Sequence, residues 1–142
     1  MQTKEARQTP PRSEGERAAD ECRRRYRDAV SWRRRVKREL SPLRLTLTQW
    51  LVLQTTAELF EETRDAVSEL AVAARSGVDR MTMSQVMWKL AHRGLVDIGP
   101  DAVWPGLRIV LTRSGQRMAS EGASRVEAAS LAWLEERSRQ AA

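Results

Sequence analysis

The chain has one cysteine, one histidine, one tyrosine and one phenylalanine in 142 residues. A single cysteine rules out an internal disulfide framework and fits a reducing compartment, so a cytoplasmic location is expected. With His92 as the one histidine, neither an imidazole metal cluster nor a Ser–His triad with a choice of bases is available. No apolar run approaches the ~18–20 residues of a membrane span, and no secretory leader is expected at the polar N-terminus. The glycines form no phosphate-cradling loop, and Glu61-Glu62 and Glu135-Glu136 read as solvated faces. No catalytic constellation remains, so the expectation is a non-enzyme without cofactor or metal and without a membrane partner.

What is present suffices for one compact core, since 41% of the residues are hydrophobic. The net charge of +6 is unevenly spread. Residues 1–44 hold 14 Lys/Arg against 7 Asp/Glu, whereas residues 45–142 hold 11 against 12. The basic surplus therefore lies in the first third, and bulk charge alone does not imply a nucleic-acid partner.

The stretch from Val72 to Leu95 organises the rest. Ala73 is small where two helices would cross, Gly77 suits a turn with positive φ, and Val78 plugs that turn. Asp79 has the side chain to cap the next helix. Within it, Met83, Val86, Met87 and Leu90 follow helical spacing, and Gly94 supplies a left-handed stop with Leu95 folding back. This is the pattern of a helix-turn-helix.

Around it, residues 1–15 read as a flexible arm carrying Pro10, Pro11 and Gly15. A helix is expected over about Glu16–Leu40, with Cys22, Tyr26, Ala29, Val36 and Leu40 as an apolar seam and arginines crowding the other faces. That basic surface is read either as a solvated, ion-paired face or as an attractor of phosphate. Ser41-Pro42 ends the helix. Thr46 with Gln49 forms a capping box for a helix to about Glu61, its buried stripe being Trp50, Leu53, Ala57 and Phe60. The first helix of the helix-turn-helix is expected at about Val67–Ser76. Val96-Asp97-Ile98 and Leu107–Leu111 read as two strands joined through a turn at Gly99-Pro100-Asp101, a β-wing. Thr112 can cap a last helix, about Arg113–Gln140, with Met118, Val126, Ala129 and Trp133 on one side. The fold class is mainly α: a winged helix-turn-helix with a two-stranded wing, over residues 45–112, between long terminal helices at 16–44 and 113–142. The apolar stripes of those helices are best covered by each other and by a second copy.

The segments L-T-L-T-Q-W-L-V-L (45–53), S-E-L-A (68–71), G-V-D-R (77–80), H-R-G-L-V (92–96) and L-T-R-S-G (111–115) occur in an order and spacing that resembles the MarR-type winged-helix regulators, over roughly residues 20–138. The resemblance implies a homodimer with interlocking terminal helices, one winged helix on each half of a near-palindromic double-stranded DNA operator, and a transcriptional repressor's role. It also implies control by a small aromatic effector or by thiol oxidation. Two departures stand out. The stretch between Ala71 and Gly77 is about two residues longer than the usual pattern. The wing segment Gly99–Leu107 has no arginine and offers Asp101, Val103 and Trp104, leaving Arg108 as the wing's one cation.

On a wheel of 100° per residue, Met81, Gln85, Trp88 and His92 point outward, flanked by Thr82, Ser84 and Lys89. Gln85 suits a bidentate contact to adenine, Thr82 and Ser84 reach either base type, and Met81 suits a thymine methyl. Arg80 reaches a base or a phosphate, and Lys89, Arg93 and Arg108 suit phosphate. Trp88 either lies on sugar–phosphate or is covered by protein. Trp50, Trp32 and Tyr26 are the candidates for lining an effector cleft. Cys22, beside Arg23, Arg24 and Arg25, is either a redox switch favoured by positive charge or a cysteine packed on the seam. The rival reading of the whole is a winged-helix dimer that binds proteins or small molecules and has weak or lost DNA binding.

Overall fold

In the computed structural model, which describes residues 9–100 and 106–141, five helices surround a small antiparallel sheet. Helix α1 (Glu14–Leu40) opens on a capping box: the Glu16 amide donates to Ser13 Oγ at 3.1 Å, and the Ser13 amide donates to the Glu16 carboxylate at 2.9 Å. Each bond satisfies an amide that the first helical turn would otherwise leave open. The helix therefore begins before the expected Glu16 and takes in Gly15; of the arm expected over 1–15, residues 1–8 lie outside the described residues.

Pro42 halts α1, and a single 3-10 turn, Ser41–Leu43, leads to Arg44 in the left-handed region at φ 55°. The expected Thr46–Gln49 capping box is present, with bonds of 3.1 and 3.0 Å, and starts α2 (Leu47–Thr63). Trp50 and Leu53 are buried as expected, while Ala57 and Phe60 are half-buried. Val52, Thr55, Thr56 and Leu59 are buried too, because α2 is central and meets α3, α4, α5 and the sheet.

Val67 and Ser68 form not the start of a helix but β1 (Val67–Ser68), after which Ser68 caps α3 (Glu69–Ser76) through the Ala71 amide. Strand β1 pairs with β3 (Leu107–Leu111), Val67 opposite Ile109, and β3 pairs with β2 (Val96–Pro100), Val96 opposite Leu111. The wing's two strands thus gain a third, in the order β1-β3-β2. Gly99 and Pro100, expected in a turn, extend β2; Asp101, Val103 and Trp104 lie outside the described residues.

The last helix, α5 (Arg113–Ala141), begins where Thr112 Oγ1 accepts from the Gly115 amide at 3.0 Å and donates to the Gly94 carbonyl at 2.7 Å. It runs back along α1, and among the described residues four links between side chains join the pair, besides the Arg125 bond to the Glu39 carbonyl. The Trp32 indole donates to Ser130 at 2.8 Å, and the Trp133 indole donates to Ser31 at 3.1 Å. Arg35 pairs with Glu136 at 2.5 Å, and Arg137 with Asp28 at 2.7 Å while lying over the Trp133 ring. Of the expected α1 seam only Val36 and Leu40 are buried; Cys22, Tyr26 and Ala29 are exposed. Helical spacing identified one side of α1, but among the described residues no element covers its first half.

Candidate nucleic-acid interface

Helix α3, the turn at Gly77 (φ 74°) and α4 (Arg80–His92) make the helix-turn-helix. Gly77 donates to the Ala73 carbonyl at 3.0 Å, closing α3 in a conformation where a Cβ would strain the backbone. Met83, Val86, Met87 and Leu90 are all buried, so α4 is held by one side and cannot roll. At the far end, Leu95 donates to the Leu90 carbonyl at 3.0 Å and its side chain is buried, as the Gly94 stop requires.

The opposite side of α4 is open. Met81 is 76% exposed and Trp88 55%, with Gln85 and His92 on the same stripe and Arg80 and Lys89 exposed beside it. Arg80 and Lys89 have no carboxylate within 4 Å among the described residues.

Four of the nine residues expected at the interface are already engaged within the protein. The Thr82 hydroxyl donates to Asp79 at 2.7 Å, and the Thr82 amide donates to the same carboxylate at 2.9 Å. The Ser84 hydroxyl donates to Glu69 of α3 at 2.8 Å. Arg93 donates to the Arg44 and Leu43 carbonyls at 2.7 and 3.0 Å, clipping the end of α4 to the corner between α1 and α2. Arg108 pairs with Asp65 at 3.0 Å. A helical wheel gives the direction of each side chain but not these partners, which lie up to 50 residues away in the chain.

Arg93 is therefore a structural clip. Arg93→Ala is expected to lower the unfolding free energy by roughly 1–2 kcal/mol for two exposed bonds. It should leave the salt dependence of DNA binding unaltered, a slope set by phosphate contacts. A slope reduced in that variant would return Arg93 to the interface.

Four carboxylates are held below their ordinary range. Asp79 is lowered chiefly by the Thr82 amide and then its hydroxyl, and Asp65 by the Ala66 amide and then Arg108. Glu62 is lowered by Arg75, which grips it through two nitrogens at 2.5 and 3.0 Å and ties α3 to α2. Glu136 is lowered by Arg35. A depressed carboxyl contributes stability above its unfolded pKa, about 4, and loses it as pH falls through the lower folded value. The melting temperature should thus hold between pH 5 and 7 and fall below about pH 4. Asp79→Asn should make that fall shallower; an equally steep fall would remove Asp79 from the account.

The three aromatics expected around an effector do not converge. Trp50 is buried and donates to the Ala119 carbonyl at 3.4 Å, Trp32 is turned onto α5, and Tyr26 is 71% exposed. A different cavity, of about 630 Å³, opens between α1 and the start of α2. It is lined by Arg33, Arg34, Lys37 and Arg44 around the apolar Val30, Leu45 and Leu47. None of these four cations has a carboxylate within 4 Å among the described residues. The density of arginine after residue 30 was the available signal for it. Cys22 is exposed rather than packed, and its neighbours Arg23, Arg24 and Arg25 are paired with Asp20 and Glu21.

No protein-family model and no curated protein matches the chain. Solved structures do match. A MarR-family transcriptional regulator from Rhodococcus sp. RHA1 superposes with a TM-score of 0.73 at 25% identity, covering 83% of this chain and 81% of that one. The Mycobacterium tuberculosis MarR family protein Rv2887 gives 0.64 at 28% identity over 78% and 76%. The chain therefore shares the winged-helix fold of MarR-family transcriptional regulators. CouR from Rhodococcus jostii RHA1, bound to p-coumaroyl-CoA, also matches, at a TM-score of 0.66 and 26% identity over 78% of this chain and 75% of that one. Helix α4 is the second helix of the helix-turn-helix, and the β2–β3 hairpin follows it.

Proposed function

We propose that this MarR-type chain is a DNA-binding transcriptional regulator. It acts as a homodimer, placing one α4 in the major groove of each half of a near-palindromic operator, and represses until a small effector releases it. The observation that carries this reading is α4 itself: four buried residues fix its orientation, while Gln85 and the exposed cations Arg80 and Lys89, which meet no carboxylate among the described residues, stand on the other side. Rv2887 has been crystallised with DNA, with salicylic acid and with p-aminosalicylic acid. Two of these compounds are acids by name, and the cavity ringed by Arg33, Arg34, Lys37 and Arg44 suits an aromatic anion. Arg93 links that corner to the end of α4, so an anion drawing on Arg44 would bear on the helix that meets DNA.

Second copies would meet along the ends of α1 and α5, where Tyr26, Leu131 and Leu134 are exposed around the half-buried Trp133. A fixed dimer sets the two α4 helices about one helical turn of DNA apart, ~34 Å.

A salt titration of binding to operator duplex tests the reading. Two phosphate-binding cations per subunit predict a log–log slope of roughly −4 for the dimer, and Arg80→Ala should reduce its magnitude by about 2. Affinity that stays flat between 50 and 200 mM salt would instead favour a protein-docking module, the reading that the exposed Met81 and Trp88 would then serve.

A further inference from the structure

Duplex DNA is read in the major groove mainly by hydrogen bonds to base edges, with apolar contacts reserved for the thymine C5-methyl. On α4 the hydroxyl protons are already used: Thr82 donates to Asp79 and Ser84 to Glu69, which leaves both oxygens as acceptors only. Of the guanidinium groups nearby, Arg93 holds two backbone carbonyls and Arg108 holds Asp65. The outward stripe then holds one amide, Gln85, between two large apolar side chains, Met81 and Trp88, with His92 beyond them at the end of the helix. These two stand exposed although α4 has a complete buried side of its own, so their exposure is not a packing failure. Arg80 and Lys89 on either side supply the charge that suits a polyanion rather than an apolar protein surface.

We infer that Met81 and Trp88 are specificity-determining residues that recognise thymine methyl groups, so that each half-site is an A·T-rich segment with thymines on both sides of an adenine read by Gln85. The inference rests on the DNA-binding reading above and adds to it the base class. The spacing fits. Along a helix rising ~1.5 Å per residue, Met81 and Trp88 are about 10 Å apart, with Gln85 between them. At ~3.4 Å per base pair that distance spans about three steps, a read segment of about four base pairs.

The test uses the full chain and a duplex selected from a random pool. Each thymine of the half-site is replaced in turn by deoxyuridine, which differs only in lacking the methyl. Removing a methyl from an apolar contact should weaken binding by roughly fourfold, at two positions per half-site. Met81→Ala should abolish the penalty at one position and Trp88→Ala at the other, while both variants keep their affinity for non-specific duplex, which verifies that they are folded. A selected duplex that tolerates deoxyuridine everywhere, or variants that keep the full penalty, would overturn the methyl readout while leaving the DNA-binding reading intact. If no duplex is selected at all, both fall together.

Discussion

Replacing Leu131 and Leu134 together by aspartate is expected to give a folded monomer whose operator affinity is lower by about 10²–10⁴-fold. Both leucines are on the surface of the subunit, 60% and 55% exposed, so their loss removes little from its own core. Leu134 lines an apolar hollow of about 280 Å³ with Ala29, Trp32 and Trp133, and a twofold axis there would bring four new carboxylates into one interface. Charges desolvated without partners cost several kcal/mol each, more than an interface of this kind supplies. A lone winged helix keeps its contacts to one half-site but loses the effective concentration that a linked partner provides. Sedimentation gives the mass and fluorescence anisotropy the affinity. A dimer that survives both substitutions, or a monomer that binds as tightly, would show that the copies meet elsewhere.

Gly115→Ala is the second large effect, this time on stability. A Cβ at this position would lie 1.9 Å from the Leu95 carbonyl oxygen and 2.9 Å from the Leu111 side chain. The first contact is with backbone, so no rotamer relieves it: the start of α5 must separate from the entrance to β2. Overpacking of this kind costs about 3 kcal/mol at the upper end of its usual range, against ~1 kcal/mol gained from alanine's helix propensity. A net loss of about 2 kcal/mol should lower the melting temperature by roughly 4–8 °C. Gly99→Ala is the control, since nothing lies within 4 Å of a Cβ there. An unchanged melting temperature in Gly115→Ala would mean that the α5–β2 junction is looser than its geometry.

The parts of the fold that were legible in the sequence are those set by short-range chemistry. Asp79, Thr46 and Thr112 act as caps through atoms three residues away, and Gly77 and Gly94 take positive φ where turns demand it. The inward side of α4 followed from spacing alone. Ser13 with Glu16 carried the same signal as Thr46 with Gln49, but the prolines and glycine around it argued for an arm. Strand β1 had no signal of its own: two residues cannot show a period, and Val67 and Ser68 are extended because β3 pairs with them. Partners within the protein were not legible. Arg93, Arg108 and Ser84 each bond a group from a distant segment that no local pattern reveals. Likewise Trp50, Trp32 and Tyr26 are aromatic and near one another in the helix order, but each faces a different neighbour.

The four links between α1 and α5 act in alternating directions, indole to hydroxyl each way and guanidinium to carboxylate each way. Sliding one helix past the other by a turn, ~5.4 Å, would break all four at once. The two helices therefore travel together as a stiff beam. Any movement that keeps these links carries α1 and α5 together, along with whatever α5 grips through Trp50 and the Ala119 carbonyl.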